Sequence, residues 1–212
     1  MSIFSMDSKF MQAMSRVADL IILNIVFLVT CLPVFTIGAA SAALYSVVFP
    51  MGTDEEAGVF RCYFRAFRDN FKQGTALFLI LLLPAVLLLA SFLVSVTLGG
   101  FLHYLSYLYI PLLLLLAFVY SYVFPLISQF SNTVKATLKN ALLLSIGYLP
   151  RTLVIVALNL LPMVLFYTQT LLFYQTGFLW VLMYFSVAAY LSALLLRKVF
   201  APYQKTEDEE KP

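Results

Sequence analysis

QGTALFLILLLPAVLLLASFLVSVTLGGFLHYLSYLYIPLLLLLAFVYSYVFPLISQFSNTV, residues 73–134, runs for 62 positions without an Asp, Glu, Lys or Arg. At about 1.5 Å per helical residue and about 30 Å of hydrocarbon to cross, that length holds two membrane spans and a turn. Gly99-Gly100 supplies the turn. Residues 152–196 are a second charge-free stretch, 45 long, with room for two more spans. The third, residues 20–53, is 34 long, which is too much for one upright helix and short for two. The whole chain of 212 residues is 63% apolar and only 11% charged, where a soluble domain carries about 25% charge. A water-soluble fold is excluded. The expected fold is an all-α polytopic transmembrane bundle of five or six spans, one integral membrane domain over residues 1–212.

The net charge of +3 reflects topology and is no signal for nucleic acid. The 13 basic residues fall into four groups: Lys9 and Arg16; Arg61, Arg65, Arg68 and Lys72; Lys135, Lys139 and Arg151; Arg197, Lys198, Lys205 and Lys211. The linkers around Gly99-Gly100 and over residues 166–177 contain none, so the positive-inside rule makes them outer loops and the C-terminus cytoplasmic. If Lys9 and Arg16 are also inside, residues 20–53 split into two short spans near residues 33–38; otherwise the N-terminus is outside and one tilted or kinked span precedes Arg61. An internal similarity favours six crossings. Leu44-Tyr45-Ser46-Val47-Val48-Phe49-Pro50 resembles Val119-Tyr120-Ser121-Tyr122-Val123-Phe124-Pro125, and each precedes a basic segment containing Asn and then a further apolar run. A unit of inward span, cytoplasmic helix and outward span, used twice, accounts for both. The basic, apolar, Ala40-Ser41-Ala42 outline of a signal peptide is set aside, because the apolar run continues through Val47, Val48 and Phe49.

Residues 60–72 carry the most regular pattern. Phe60, Phe64, Phe67 and Phe71 recur at helical spacing, and Arg61, Arg65, Arg68 and Lys72 repeat it one residue later. At about 100° per residue these are adjoining apolar and cationic stripes. The expectation is a cytoplasmic amphipathic helix within residues 54–72, with phenylalanines at the acyl boundary and cations at lipid phosphates, or else a docking face for a cytoplasmic partner. Asp54, Glu55 and Glu56 would favour its N-terminal end. Residues 1–19 read as an N-terminal amphipathic segment and residues 198–212 as a charged cytoplasmic tail.

Catalytic chemistry is missing from the pattern. Every carboxylate lies near a basic group, whereas ion-coupled transport usually places one within a span. His103, the only histidine, has no Cys, Asp or Glu beside it with which to hold zinc or share a proton. No G-x-S-x-G, P-loop or H-E-x-x-H occurs. Cys31 and Cys62 read as ordinary thiols. No catalytic residue, metal or cofactor is expected. Asn24 and Asn159 are expected to hydrogen-bond between helices, and Gly38 with Ala42 to allow close helix approach. The outer loops carry Tyr107, Tyr109, Tyr167, Gln169, Tyr174, Gln175 and Trp180; aromatics with amides are suited to stacking on a sugar, but an aromatic belt at the headgroups accounts for the Tyr and Trp.

Asn24, Cys31-Leu32-Pro33, Thr36-Ile37-Gly38-Ala39, Ala43-Leu44-Tyr45, Phe64 with Phe67, Asn70-Phe71-Lys72-Gln73, Asn140-Ala141 and Leu149-Pro150-Arg151-Thr152 together resemble the YesL-like membrane proteins of bacteria over nearly the whole chain. The resemblance implies a multi-pass protein of the bacterial cell membrane with an accessory role in carbohydrate uptake, and supplies no site residues. Asn140-Ala141 and Leu149-Pro150 end like the ATPase-docking loop of importer permeases, but the Glu is absent and the spacing is too short. The expected function is a non-enzymatic accessory or scaffolding component of carbohydrate ABC import, with membrane lipids and importer subunits as partners and no nucleic acid. The alternative is a stand-alone small-solute channel or facilitator, which needs a continuous polar path.

Overall fold

The computed structural model describes residues 3–51, 58–98, 101–167 and 180–209, with 175, 177 and 178 between the last two blocks. The chain order is α1 (Ile3–Thr30), a 3-10 turn (Val34–Thr36), α2 (Ile37–Val48), α3 (Val59–Asp69), α4 (Phe71–Leu98), α5 (Phe101–Gln129), α6 (Val134–Gly147), α7 (Leu149–Tyr167), a π-helical turn (Trp180–Tyr184) and α8 (Phe185–Glu209). No strand occurs among the described residues. Among them, four helices are long and apolar enough to cross a membrane: Phe71–Leu98, Ser106–Gln129, Leu149–Tyr167 and Leu182–Tyr203. These are the two pairs expected from the two longest charge-free stretches. Two segments set apart on charge alone are continuous with their neighbours. Residues 3–19 belong to α1, and α8 runs on from residue 198 to Glu209.

Residues 20–53 give neither one full span nor two. Pro33 has no N–H to continue α1, and the chain turns over residues 31–36. Thr36 Oγ1 reaches both the Thr30 and Pro33 carbonyls and closes that turn. The following α2 has 12 residues, about 18 Å, and cannot cross about 30 Å of hydrocarbon.

α2 is nonetheless the most enclosed helix of the bundle, with Ala39, Ala40, Ala42, Ala43 and Val48 fully buried. Small side chains make this possible. A Cβ added at Gly38 would meet the Gly74 carbonyl oxygen and lie 2.7 Å from Phe78 Cβ; one added at Gly74 would lie 2.9 Å from Ala39 Cα. The start of α2 therefore packs backbone to backbone on the start of α4. At its other end, the Arg197 guanidinium of α8 donates to the carbonyls of Val48 (3.3 Å), Met51 (2.9 Å) and Phe49. Helix C-termini leave carbonyls without intrahelical partners, and a cation there also suits the helix dipole.

Interruptions in the long helices are repaired in the same way. Ser186, just after the π turn, gives its N–H to Asn24 Oδ1 (3.1 Å) and its hydroxyl to the Leu20 carbonyl (2.7 Å). Pro162 leaves the Leu158 carbonyl without its helical donor, and the Tyr184 hydroxyl donates to it instead. Thr152 Oγ1 donates to the Ser145 carbonyl (2.8 Å) and meets the Tyr122 hydroxyl (3.0 Å), tying α5, α6 and α7. α3 and α6 are each separated from the next long helix by a single residue, Asn70 or Tyr148, but α2 has 12 residues where α5 has 29, so the first unit lacks the full inward span of the second. Asn140, matched to Asn70 by sequence, instead sits inside α6.

Gly38→Ala is expected to destabilise the protein by about 1–3 kcal/mol, the usual cost of overpacking. Gly147→Ala, whose Cβ would meet nothing within 4 Å, is expected to be neutral or stabilising by up to about 1 kcal/mol. Thermal unfolding of the two variants in one detergent checks the contrast.

Candidate functional site

The surface that gathers the sequence-predicted residues is α3 with the first turn of α4. α3 starts after Gly58, which makes no side-chain cap; Asp54, Glu55 and Glu56 lie outside the described residues. It ends at Asn70, whose Nδ2 donates to the Ala66 carbonyl (3.0 Å). Asn70 leaves helical geometry, with φ −93° and ψ 2°. The single helix expected within residues 54–72 is therefore Val59–Asp69, and Phe71 and Lys72 open α4.

The face turned to the core is not the phenylalanine stripe. Tyr63 is fully buried, and Val59, Cys62, Ala66 and Phe67 pack beside it. The Tyr63 hydroxyl meets Thr30 Oγ1 at 2.6 Å. Burial pushes its ionisation well above the ordinary phenol range, with the Thr30 hydrogen bond acting weakly the other way, so the phenol stays neutral. Phe67 stacks on Tyr63 at 6.3 Å between centroids and turns partly inward, unlike Phe60, Phe64 and Phe71, which are exposed. Ring contacts carry the row across the break: Phe60 to Phe64 at 5.7 Å and Phe67 to Phe71 at 5.6 Å.

Arg61, Arg65, Arg68 and Lys72 are all exposed. Arg65 and Asp69 approach to 4.0 Å, an exposed pair of little energetic weight. No ion pair holds Arg61, Arg68 or Lys72 among the described residues. Exposed cations bordered by exposed rings on an anchored helix can hold phosphate oxygens while the rings enter the acyl boundary. α6 repeats the charge without the rings. Lys135 and Lys139 are exposed on it, and Arg151 lies 5.4 Å from the Tyr148 ring centroid. Gln73 Nε2 donates to the Asn132 carbonyl (2.7 Å), which brings the starts of α4 and α6 together.

The packing residues divide. Asn24 is fully buried and bonds between helices, and Gly38 and Ala42 are buried against neighbours in the same chain. Asn159 is not an interhelical bridge: it is exposed, and its Nδ2 donates to the Ile155 carbonyl of its own helix (2.9 Å). Its place on α7 turns it outward. His103 packs edge-on against Tyr104 and Tyr107, at 6.5 and 5.8 Å. Tyr107 and Tyr167 are exposed, whereas Gln169 and Tyr174 lie outside the described residues. Sequence reasoning missed Tyr63 and Arg197. Tyr63 stands three residues after Phe60 and four before Phe67, a helical spacing that could have marked it; nothing local marks Arg197 as a helix cap.

Comparison with known proteins places this architecture. Residues 20–92 match the family described as "Protein of unknown function, DUF624". Over 167 residues the chain is 29% identical to "Uncharacterized protein YesL" of Bacillus subtilis (strain 168), covering 77% of this chain and 79% of that one. The chain is thus similar to YesL over most of its length. No solved structure matches it. The DUF624 match takes in the apolar part of α1, the whole of α2 and α3, and most of α4. It therefore contains the Gly38–Gly74 contact, the Thr30–Tyr63 bond and the basic face, while Arg197 lies beyond it.

Replacing Arg61, Arg65, Arg68 and Lys72 with Gln is expected to remove about 4 kcal/mol of attraction to an anionic surface, at about 1 kcal/mol per cation. The protein purified from mixed lipid should then lose its excess of anionic over zwitterionic lipid, and with it the salt dependence of that excess. Unchanged enrichment would give the face to a protein partner.

Proposed function

We propose that this chain is a non-enzymatic protein of the bacterial cell membrane that serves as an accessory or scaffolding component of carbohydrate import. The observation that carries the scaffolding part is the division of its surface. Exposed cations collect on the two short helices α3 and α6 and at the adjoining helix ends, while α4 and α7 offer long exposed apolar faces. Such a protein presents one charged side to lipids or other chains and apolar sides to the bilayer. The carbohydrate part rests on the family resemblance.

The topology we infer has five crossings, α1, α4, α5, α7 and α8, with the C-terminus cytoplasmic and α2 lying across the inner ends of the bundle. Ser186 and Arg197 are eleven residues apart on α8, about 16 Å. Ser186 meets Leu20 and Asn24 in the middle of α1, and Arg197 meets the end of α2. Thr30, where α1 ends, meets the basic helix α3, and α2 begins against the start of α4. α1 then runs inward, so the N-terminus is outside. Arg16 and Asp19, the fourteenth and seventeenth of the 28 residues of α1, form an i, i+3 pair of opposite sign at its middle.

The channel reading has less to stand on. Buried hydroxyls such as the Tyr122–Thr152 and Thr30–Tyr63 pairs are engaged with each other and are not free to line a polar path. Affinity purification from native membrane is expected to recover carbohydrate-importer subunits, and deletion to impair uptake of one carbohydrate class only. The purified protein alone is expected to pass no sugar in liposomes. Saturable sugar flux through it would overturn the accessory reading, and a cytoplasmic reporter signal at Met1 would overturn the five-span topology.

A further inference from the structure

Above α2, between α1, α5, α7 and α8, lies a cleft of about 340 Å³. Three rings, Phe27, Phe124 and Phe185, give it an apolar wall, and Ser41, Tyr45, Tyr120, Ser121 and Asn159 bring hydroxyls and an amide. No Asp, Glu, Lys, Arg or His lines it. Its deep side is closed by buried residues such as Ser41, Ser121 and Phe124; Asn159 and Phe185 are exposed at its mouth. Asn159 is the eleventh of 19 residues in α7, about 15 Å from the helix start, and its neighbours Leu160, Leu161 and Met163 are exposed apolar groups. The mouth therefore opens into the bilayer near its midplane.

One polar atom there lacks a partner among the described residues. Asn159 Nδ2 is used on Ile155, but Oδ1 accepts no hydrogen bond among the described residues. In hydrocarbon an unmatched acceptor is costly, and water is not there to supply the donor.

We propose that the cleft binds an uncharged amphiphile from the bilayer, one alkyl chain ending in a hydroxyl, which donates to Asn159 Oδ1 while the chain lies against the three rings. The absence of charged lining disfavours phosphate or carboxylate heads. The site goes beyond the accessory reading and stands whether or not an importer co-purifies.

The test is photo-cross-linking of the full chain in lipid nanodiscs with a diazirine-bearing 16-carbon alcohol, the adducts located by mass spectrometry. The expected adducts concentrate on cleft residues of α5, α7 and α8. Asn159→Leu, checked for an unchanged melting transition, should reduce them about fivefold, the worth of one hydrogen bond. The corresponding diazirine alkane should label the unmodified protein less by a similar factor. Equal labelling by alkane and alcohol, or adducts spread over the exposed face of α4 and indifferent to Asn159→Leu, would overturn the proposal. Should Asn159→Leu fail to fold, the alcohol–alkane comparison decides alone.

Discussion

A helix too short to cross a bilayer must find partners for its terminal backbone groups inside the protein, and α2 is such a helix. Its last carbonyls have no water to turn to if they lie within hydrocarbon, where each unsatisfied group costs several kcal/mol. Arg197 takes Val48, Phe49 and Met51 with one guanidinium. That single contact fixes the end of α2 on α8, while Gly38 against Gly74 fixes its start on α4. Held at both ends, α2 orders the rest: α1 is tied back through the turn at Thr36, and α3 is seated through Tyr63 and Thr30. The basic face is therefore presented in a set orientation because a buried helix behind it is clamped.

The same rule recurs wherever a long helix is interrupted. Proline at 162 is matched by Tyr184, and the start of α8 after its π turn by Asn24. These polar side chains serve the backbone, which explains how a chain this apolar can carry asparagine, threonine and tyrosine deep in the bundle without a transport path. Asn159 differs, since its oxygen accepts no hydrogen bond among the described residues, and the cleft beside it is where a ligand would restore the balance.

Sequence length and charge spacing were enough to find the two helix pairs, α4 with α5 and α7 with α8, because a span of hydrocarbon sets a minimum run of uncharged residues. Over residues 20–53 they left one span or two open. Hydropathy cannot distinguish a short buried helix from half of a span, and the evidence for α2 is a contact with Arg197, 146 positions from Met51. On α3, the stripes marked cations and rings that are exposed in the structure, Phe67 apart, but said nothing of the side that packs inward at Tyr63. Helical spacing ranks faces by polarity, whereas Tyr63 is buried because Thr30 receives its hydroxyl. The break at Asn70 was hidden because the 4-3-4 rhythm of phenylalanines passes through it, and the ring row indeed continues across. Asn24 and Asn159 look alike in sequence, each a lone amide in an apolar helix. Only the neighbouring helix decides which is buried.

The central claim is that Arg197 holds α2 through its carbonyls and not as one more topological cation. Arg197→Met and Arg197→Lys, compared with Lys198→Met by unfolding in the same detergent, test this most directly. Charge-assisted hydrogen bonds are worth about 1.5–3 kcal/mol each, so Arg197→Met should lose at least about 3 kcal/mol and Arg197→Lys should recover only part of it, with Lys198→Met near neutral. Equal, small losses in all three variants would contradict the account.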